Sequence, residues 1–291
     1  MINISNDQIS VTADSLGGEL LSIYGVKSGT EYLWQGDRTY WGRHAINIFP
    51  FVGRLFQKMY TLNGIRYSIN IHGFLPNAEM ELVYRTSDSC CFCLRETEET
   101  LIMFPYSFEF FIIYKLAGRT LGIEFQVHNC SAETMYCAMG GHPGFNLPLE
   151  QGLVFEDYDI SFPFPCEPSL VELSSSVLCT GFRIPYKLED GYRLPLSHSL
   201  FIKDAVVFAD MPRSVTISSP KGCRKLTVDF PQMPYVGFWH KPNTAAPFVC
   251  IEPWSGLPGR EGVVEELKDM CDFTVIKAGE YFTNRWSISV W

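Results

Sequence analysis

Apolar and polar side chains alternate with a period of two along much of the chain. Leu121, Ile123, Phe125 and Val127 alternate with Gly122, Glu124, Gln126 and His128, as in a strand with one face buried. Phe108, Phe110, Ile112 and Tyr114 keep the same beat, and Trp286, Ile288 and Val290 repeat it near the end. Asn63-Gly64, between Met59–Leu62 and Ile65–Ile69, predicts a two-residue hairpin, because both residues tolerate the positive φ such a turn needs. Gly17-Gly18, Lys221-Gly222 and Ala278-Gly279 punctuate similar strand pairs. Only Gly262–Met270, with Val263, Val264 and Leu267 at one-turn spacing, predicts a short helix. No linker, charge block or fixed-period repeat divides the chain. The pattern predicts an all-β protein, a large antiparallel sandwich over residues 1–291 as one domain, with functional loops or strand ends along one side. The segment Asp157–Leu200, rich in Pro, Ser and Cys, reads as a loop shaping one rim of a pocket.

Composition narrows the function classes. With 46% hydrophobic and 19% charged residues the chain has the balance of a soluble globular protein. A net charge of −9 argues against nucleic acid or an anionic membrane as partner, since neither is drawn to an acidic surface. The longest apolar region, Leu101–Leu116, is broken by Pro105, Ser107 and Glu109, and Met1–Asp7 lacks the basic start and apolar stretch of a signal peptide. The 10 cysteines, in a chain of this size, read as reduced, mostly buried thiols, and together these features predict a cytoplasmic protein. Aromatic content of 14% suits a β-rich core and equally a site where sugar faces stack on rings.

Candidate chemistry concentrates in two segments, Gly140-Gly141-His142-Pro143-Gly144-Phe145-Asn146 and Cys250-Ile251-Glu252-Pro253-Trp254-Ser255-Gly256. Each sets one acid/base group among Gly, Pro and aromatics, the composition of a loop or strand end lining a pocket. His142 and Glu252 stand about 110 residues apart and form an acid/base pair if the fold joins them. His72, in Ile71-His72-Gly73-Phe74, shares that local chemistry, whereas His128 and His198 read as a surface and a loop residue. Arg54 follows the apolar Phe49–Gly53, so it needs either a structural carboxylate partner or a substrate group to grip. Asp204 occupies a strand-entry position. Two histidines and a carboxylate, His72, His142 and Glu252, also make a conceivable zinc set. Elbow, phosphate-loop, dinucleotide and zincin signatures are missing.

Taken in order, five stretches resemble the aldose 1-epimerase (galactose mutarotase) family, in its LacX-like branch. They are Phe49–Leu55, the hairpin leading into His72-Gly73-Phe74, Gly141–Asn146, Val228–Pro231 with Gly237-Phe238-Trp239, and Cys250–Trp254. The resemblance implies a β-supersandwich, no cofactor, and interconversion of the α and β anomers of a free hexose such as galactose or glucose. It assigns Glu252 as catalytic base, His142 as catalytic acid and His72, Arg54 and Asp204 as sugar-binding residues. Trp41, Trp239 and Trp254 are candidates for the wall on which the sugar stacks, and Asn146 either donates to a sugar hydroxyl or caps its own loop. The assignment requires an ionised Glu252 and a protonated His142, the latter held by a nearby negative charge such as Asp204 or Glu252. Two other readings share this fold. A hexose-phosphate mutarotase would need a cationic pocket, for which Lys58, Arg260 or His240 offer themselves. A catalytically silent sugar binder would not need the acid/base pair. A glycosidase needs two facing carboxylates, and only Glu252 has strong local support. Open edge strands would allow two chains to pair as a homodimer.

Overall fold

A computed structural model describes residues 1–291. It contains 24 strands and a single α-helix, Glu98–Met103, so the all-β expectation holds. The expected hairpin forms between Met59–Leu62 and Ile65–Ser68, with Asn63 at φ 52 and Gly64 at φ 76.

The helix expected over Gly262–Met270 is absent, and only the 3-10 turn Leu267–Asp269 forms there. Gly262 adopts φ 78, and the Glu265 carbonyl accepts the Thr61 amide at 2.8 Å, so this backbone is committed to the neighbouring strand. The helix that does form is set by its cap. The Thr97 side chain accepts from the Thr100 amide, the Thr100 side chain answers to the Thr97 amide, and Glu98 and Glu99 sit at the positive end of the helix dipole.

Two antiparallel sheets build the body. Nine strands follow the spatial order Arg193–Pro195, Asp159–Ser161, Ser214–Ser218, Leu226–Asp229, Tyr281–Val290, Thr120–Asn129, Phe108–Ala117, Ser89–Arg95 and Glu81–Arg85. Seven follow the order Cys179–Pro185, Ser169–Leu173, Val206–Ala209, Tyr235–Trp239, Phe248–Trp254, Gly140–Asn146 and Ala45–Ile48. Four short strands between Ile2 and Glu31 add a smaller sheet.

The two large sheets face each other across one contiguous apolar core running from Ile4 to Val290. Phe49 bridges the layers, its ring 4.4 Å from Phe110 and 5.3 Å from Phe108. The segment 157–200 is not a loop, since it supplies four strands to the ends of the two sheets. All ten cysteines are free thiols, most of them buried. No helix is long and apolar enough to cross a membrane.

Candidate active site

The face of the seven-stranded sheet turned away from the core floors a cleft of about 360 Å³. That volume lies near the lower end of small-molecule sites. Strand Phe248–Trp254 is buried along its whole length, so both of its faces are covered. Val249 and Ile251 join the main core, Glu252 lines the cleft, and Trp254 packs against the core while also lining the cleft. Gly140 pairs with Trp254 and Gly144 with Cys250, a register that sets His142 directly opposite Glu252. His142 Nε2 and Glu252 Oε2 are 3.2 Å apart, with the two side chains 9% and 2% exposed.

The glycines around His142 serve packing rather than a turn. Gly140–Asn146 is a central strand, not the loop or strand end its composition suggests. A Cβ on Gly141 would lie 2.4 Å from the Trp286 ring, and one on Gly140 2.6 Å from the Pro253 carbonyl. Glycine lets the two layers close behind the histidine. His72 reaches the same cleft from a different device. It sits at φ 63 and is followed by Gly73 at φ 77, where any Cβ would strike the Phe49 carbonyl at 2.1 Å. The His72 and His142 rings meet edge to face at 5.4 Å.

Burial governs the protonation of these groups. It pushes Glu252 well above the usual carboxylate range, and the nearby Asp204 charge pushes the same way. It pushes His142 well below the usual imidazole range, reinforced by a positive charge on His72. The expectation of an ionised Glu252 beside a protonated His142 is therefore reversed for the free site, because both lie out of water and the neutral forms are favoured. His72 falls to about 4 through burial and the Arg54 charge. Its Nδ1 accepts from the Gly53 amide at 3.2 Å, so its proton resides on Nε2 and is left for the cleft. Asp204 is raised by desolvation, while the Ala205 amide, Arg54 and the Trp239 indole work to keep it ionised.

The remaining predicted residues separate into two groups. Arg54, Asp204, Trp239, Trp254 and Trp41 all line the cleft with the acid/base pair. The Trp41 ring lies 4.8 Å from His142 in a stacked arrangement, and Trp239 meets it edge-on at 5.6 Å. Arg54 is exposed and enters no salt bridge, so of its two expected roles the structural carboxylate partner is not found and the substrate grip is left. Asn146 is not in the cleft. Its amide donates to the Glu31 and Leu33 carbonyls at 3.1 and 2.7 Å, which ties its strand to the N-terminal sheet.

Arg43, Asn77, Leu173 and Val177 also line the cleft and escaped the sequence reading. Arg43 is held by the nearly buried Glu19 at 2.7 Å and by the Pro76 carbonyl at 2.6 Å. An acid directly after Gly17-Gly18 was the available signal. The zinc set of His72, His142 and Glu252 does not assemble, because His72 does not come within metal-sharing distance of both other groups. Cys250 instead converges with His142 and Glu252. Burial pushes that thiol, and with it the Glu252 carboxyl, toward the protonated form.

The family model described as aldose 1-epimerase matches residues 1–266. The chain belongs to the aldose 1-epimerase family. It is 36% identical over 271 residues to the plasmid-encoded protein LacX of Lactococcus lactis subsp. lactis, covering 88% of each chain. It superposes with a TM-score of 0.95 on a galactose mutarotase related enzyme from Lactobacillus acidophilus, at 32% identity and covering 100% and 97% of the two chains. A galactose mutarotase-like protein from Lactobacillus casei gives the same TM-score at 28% identity, over 100% of both chains. The family resemblance read from the five sequence stretches is thus confirmed, together with the galactose mutarotase-like sandwich.

Proposed function

We propose that this member of the aldose 1-epimerase family interconverts the anomers of a free hexose such as galactose or glucose. The observation that carries the reading is the Glu252–His142 contact of 3.2 Å, buried in a cleft walled by Trp41, Trp239 and Trp254. Mutarotation asks for one proton to leave the anomeric hydroxyl and one to reach the ring oxygen. Glu252 as carboxylate takes the first and His142 as imidazolium supplies the second. The C1–O5 bond breaks to give the open aldehyde, rotation about C1–C2 exposes its other face, and closure reverses the transfers.

The two protonation forms of the pair carry the same net charge. Glu252⁻ with His142⁺ is the form that opens the ring, and neutral Glu252 with neutral His142 is the form left afterwards. Burial favours the second, so ring opening proceeds with the solvation gradient of the site rather than against it. His72 Nε2–H, the Arg54 guanidinium and the Asp204 carboxylate supply two donors and an acceptor for sugar oxygens. Lys58 and Arg260, offered for a phosphate, stand outside this cleft, His240 is buried behind Trp239, and Arg43 is neutralised by Glu19. Arg54, close to Asp204, is then the one unpaired cation of the cleft, and a single guanidinium beside a carboxylate suits an uncharged sugar better than a phosphate dianion. A sugar as partner goes with this reading, and the cytoplasmic location expected from the cysteine usage is proposed alongside it.

Polarimetry on freshly dissolved α-D-galactose and α-D-glucose tests the proposal. Native protein should speed the approach to anomeric equilibrium, and Glu252→Gln or His142→Asn should each lower kcat by about 10²–10⁴ with the fold intact. Turnover close to native in either variant refutes the assignment. Sugar binding with no change in anomerisation rate by the native protein establishes the silent binder instead.

A further inference from the structure

Behind the cleft, two histidines join the segments that bring Asp204 and Trp239 to it. His198 opens the 3-10 turn His198–Phe201, and the Phe201 carbonyl then accepts the Asp204 amide at 3.1 Å. Asp204 itself adopts φ 95, a conformation that a residue with a side chain holds only when its surroundings enforce it. His240 directly follows Trp239 at the end of strand Tyr235–Trp239. His198 Nδ1 and His240 Nε2 are 3.1 Å apart.

The hydrogen-bond chain fixes which nitrogen carries which proton. His240 Nδ1 lies 2.8 Å from the Lys241 carbonyl, so it must donate there, and its Nε2 is left as an acceptor. His198 Nδ1 must then be the donor between the rings. His198 Nε2 faces the Glu156 carboxylate at 3.6 Å. His240 is fully buried, with Phe201 at 4.5 Å and Phe155 at 5.5 Å, and Phe155 stacks on His198 at 4.3 Å. A second proton on His240 would set N–H against N–H between the rings.

We propose that His198 and His240 are positioning residues for sugar binding, their hydrogen bond holding the Asp204 turn against the end of the Trp239 strand. Neither ring reaches the cleft, so the effect passes through Asp204 and Trp239. This rests on the cleft being the sugar site. A loosened turn misplaces an acceptor and a stacking wall but leaves Glu252 and His142 on their own paired strands. KM should therefore move and kcat should not.

Two variants of His198 test the pair. His198→Phe keeps a flat ring on Phe155 and removes the donor, and should raise KM for galactose at least about fivefold with kcat within about twofold of native. His198→Asn restores a side-chain N–H near the Nδ1 position and should bring KM back to within about twofold of native. An unchanged KM in His198→Phe, or an equal rise in His198→Asn, overturns the proposal. Nitrogen-15 NMR of the native protein reads the pair without turnover and should show His240 protonated on Nδ1 alone. A proton on His240 Nε2 overturns the pair even if turnover is intact. Absence of native turnover with the tautomer as stated overturns the mutarotase reading and leaves the pair standing.

Discussion

A carboxyl group that is 2% exposed, faces a second carboxylate and touches an imidazole lowers the stability of the fold that holds it. Glu252 is raised when folded, so its favourable contribution is complete below the unfolded value near 4.3 and is lost as pH climbs toward the folded value. His72 and His142 act in the opposite sense. Their folded values are depressed, so protonation of the unfolded chain below about 6.5 favours unfolding, and stability rises with pH up to that point. Above pH 7 only the carboxyl effect persists among these three groups. Glu252→Gln should therefore be more stable than native protein by a margin that widens from pH 7 toward pH 8.5, by up to about 1.4 kcal/mol per pH unit. Urea unfolding of both proteins across that range measures it. A margin that stays constant over that range would mean Glu252 is ionised in the folded protein. The sequence showed an acid and a histidine in pocket-like surroundings, but the direction of their titration depends on burial, which local composition does not express.

At the scale of the element, the strand Gly140–Asn146 shows how a motif can be located correctly and its backbone misread. Gly, Pro and an aromatic in seven residues look like a turn, yet the glycines are there because Trp286 and Trp254 occupy the space a side chain would need. Gly141→Ala places a methyl group 2.4 Å from the Trp286 ring, overpacking that should cost about 1–3 kcal/mol. The loss should appear as a lower urea midpoint with an unchanged slope, and an unshifted midpoint would show that the sheets are free to separate. Asn146, on the same strand, was drawn toward the sugar by its place in the motif. Its side chain shares the face of His142 but lies four residues farther along the strand, beyond the cleft, where the Glu31 and Leu33 carbonyls take it up. Strand periodicity fixes which side chains share a face, but not how far along that face a ligand site extends. The helix expected at Gly262–Met270 failed for a related reason, since tertiary backbone pairing to Thr61 outweighed weak one-turn spacing.

Across the whole molecule, the apolar core is continuous from the first strand to the last, and both large sheets contribute to it. Heat unfolding should accordingly give one calorimetric transition, with no earlier step for the N-terminal sheet or for residues 157–200. Two resolved transitions would divide the chain into separate cooperative units.

The sequence by itself determined the β architecture, the main hairpin and the family, because period-two patterning, turn residues and motif order are local properties that survive without coordinates. It also brought out His142, Glu252, His72, Arg54 and Asp204 as chemistry in search of a site. The tertiary structure alone decided that His142 lies opposite Glu252, that Arg43 joins the cleft on the arm of Glu19, and that His198 meets His240. These depend on strand register and sheet packing between residues tens to hundreds apart. Such contacts are set by how the two layers close over a shared core, which no stretch of the chain specifies alone.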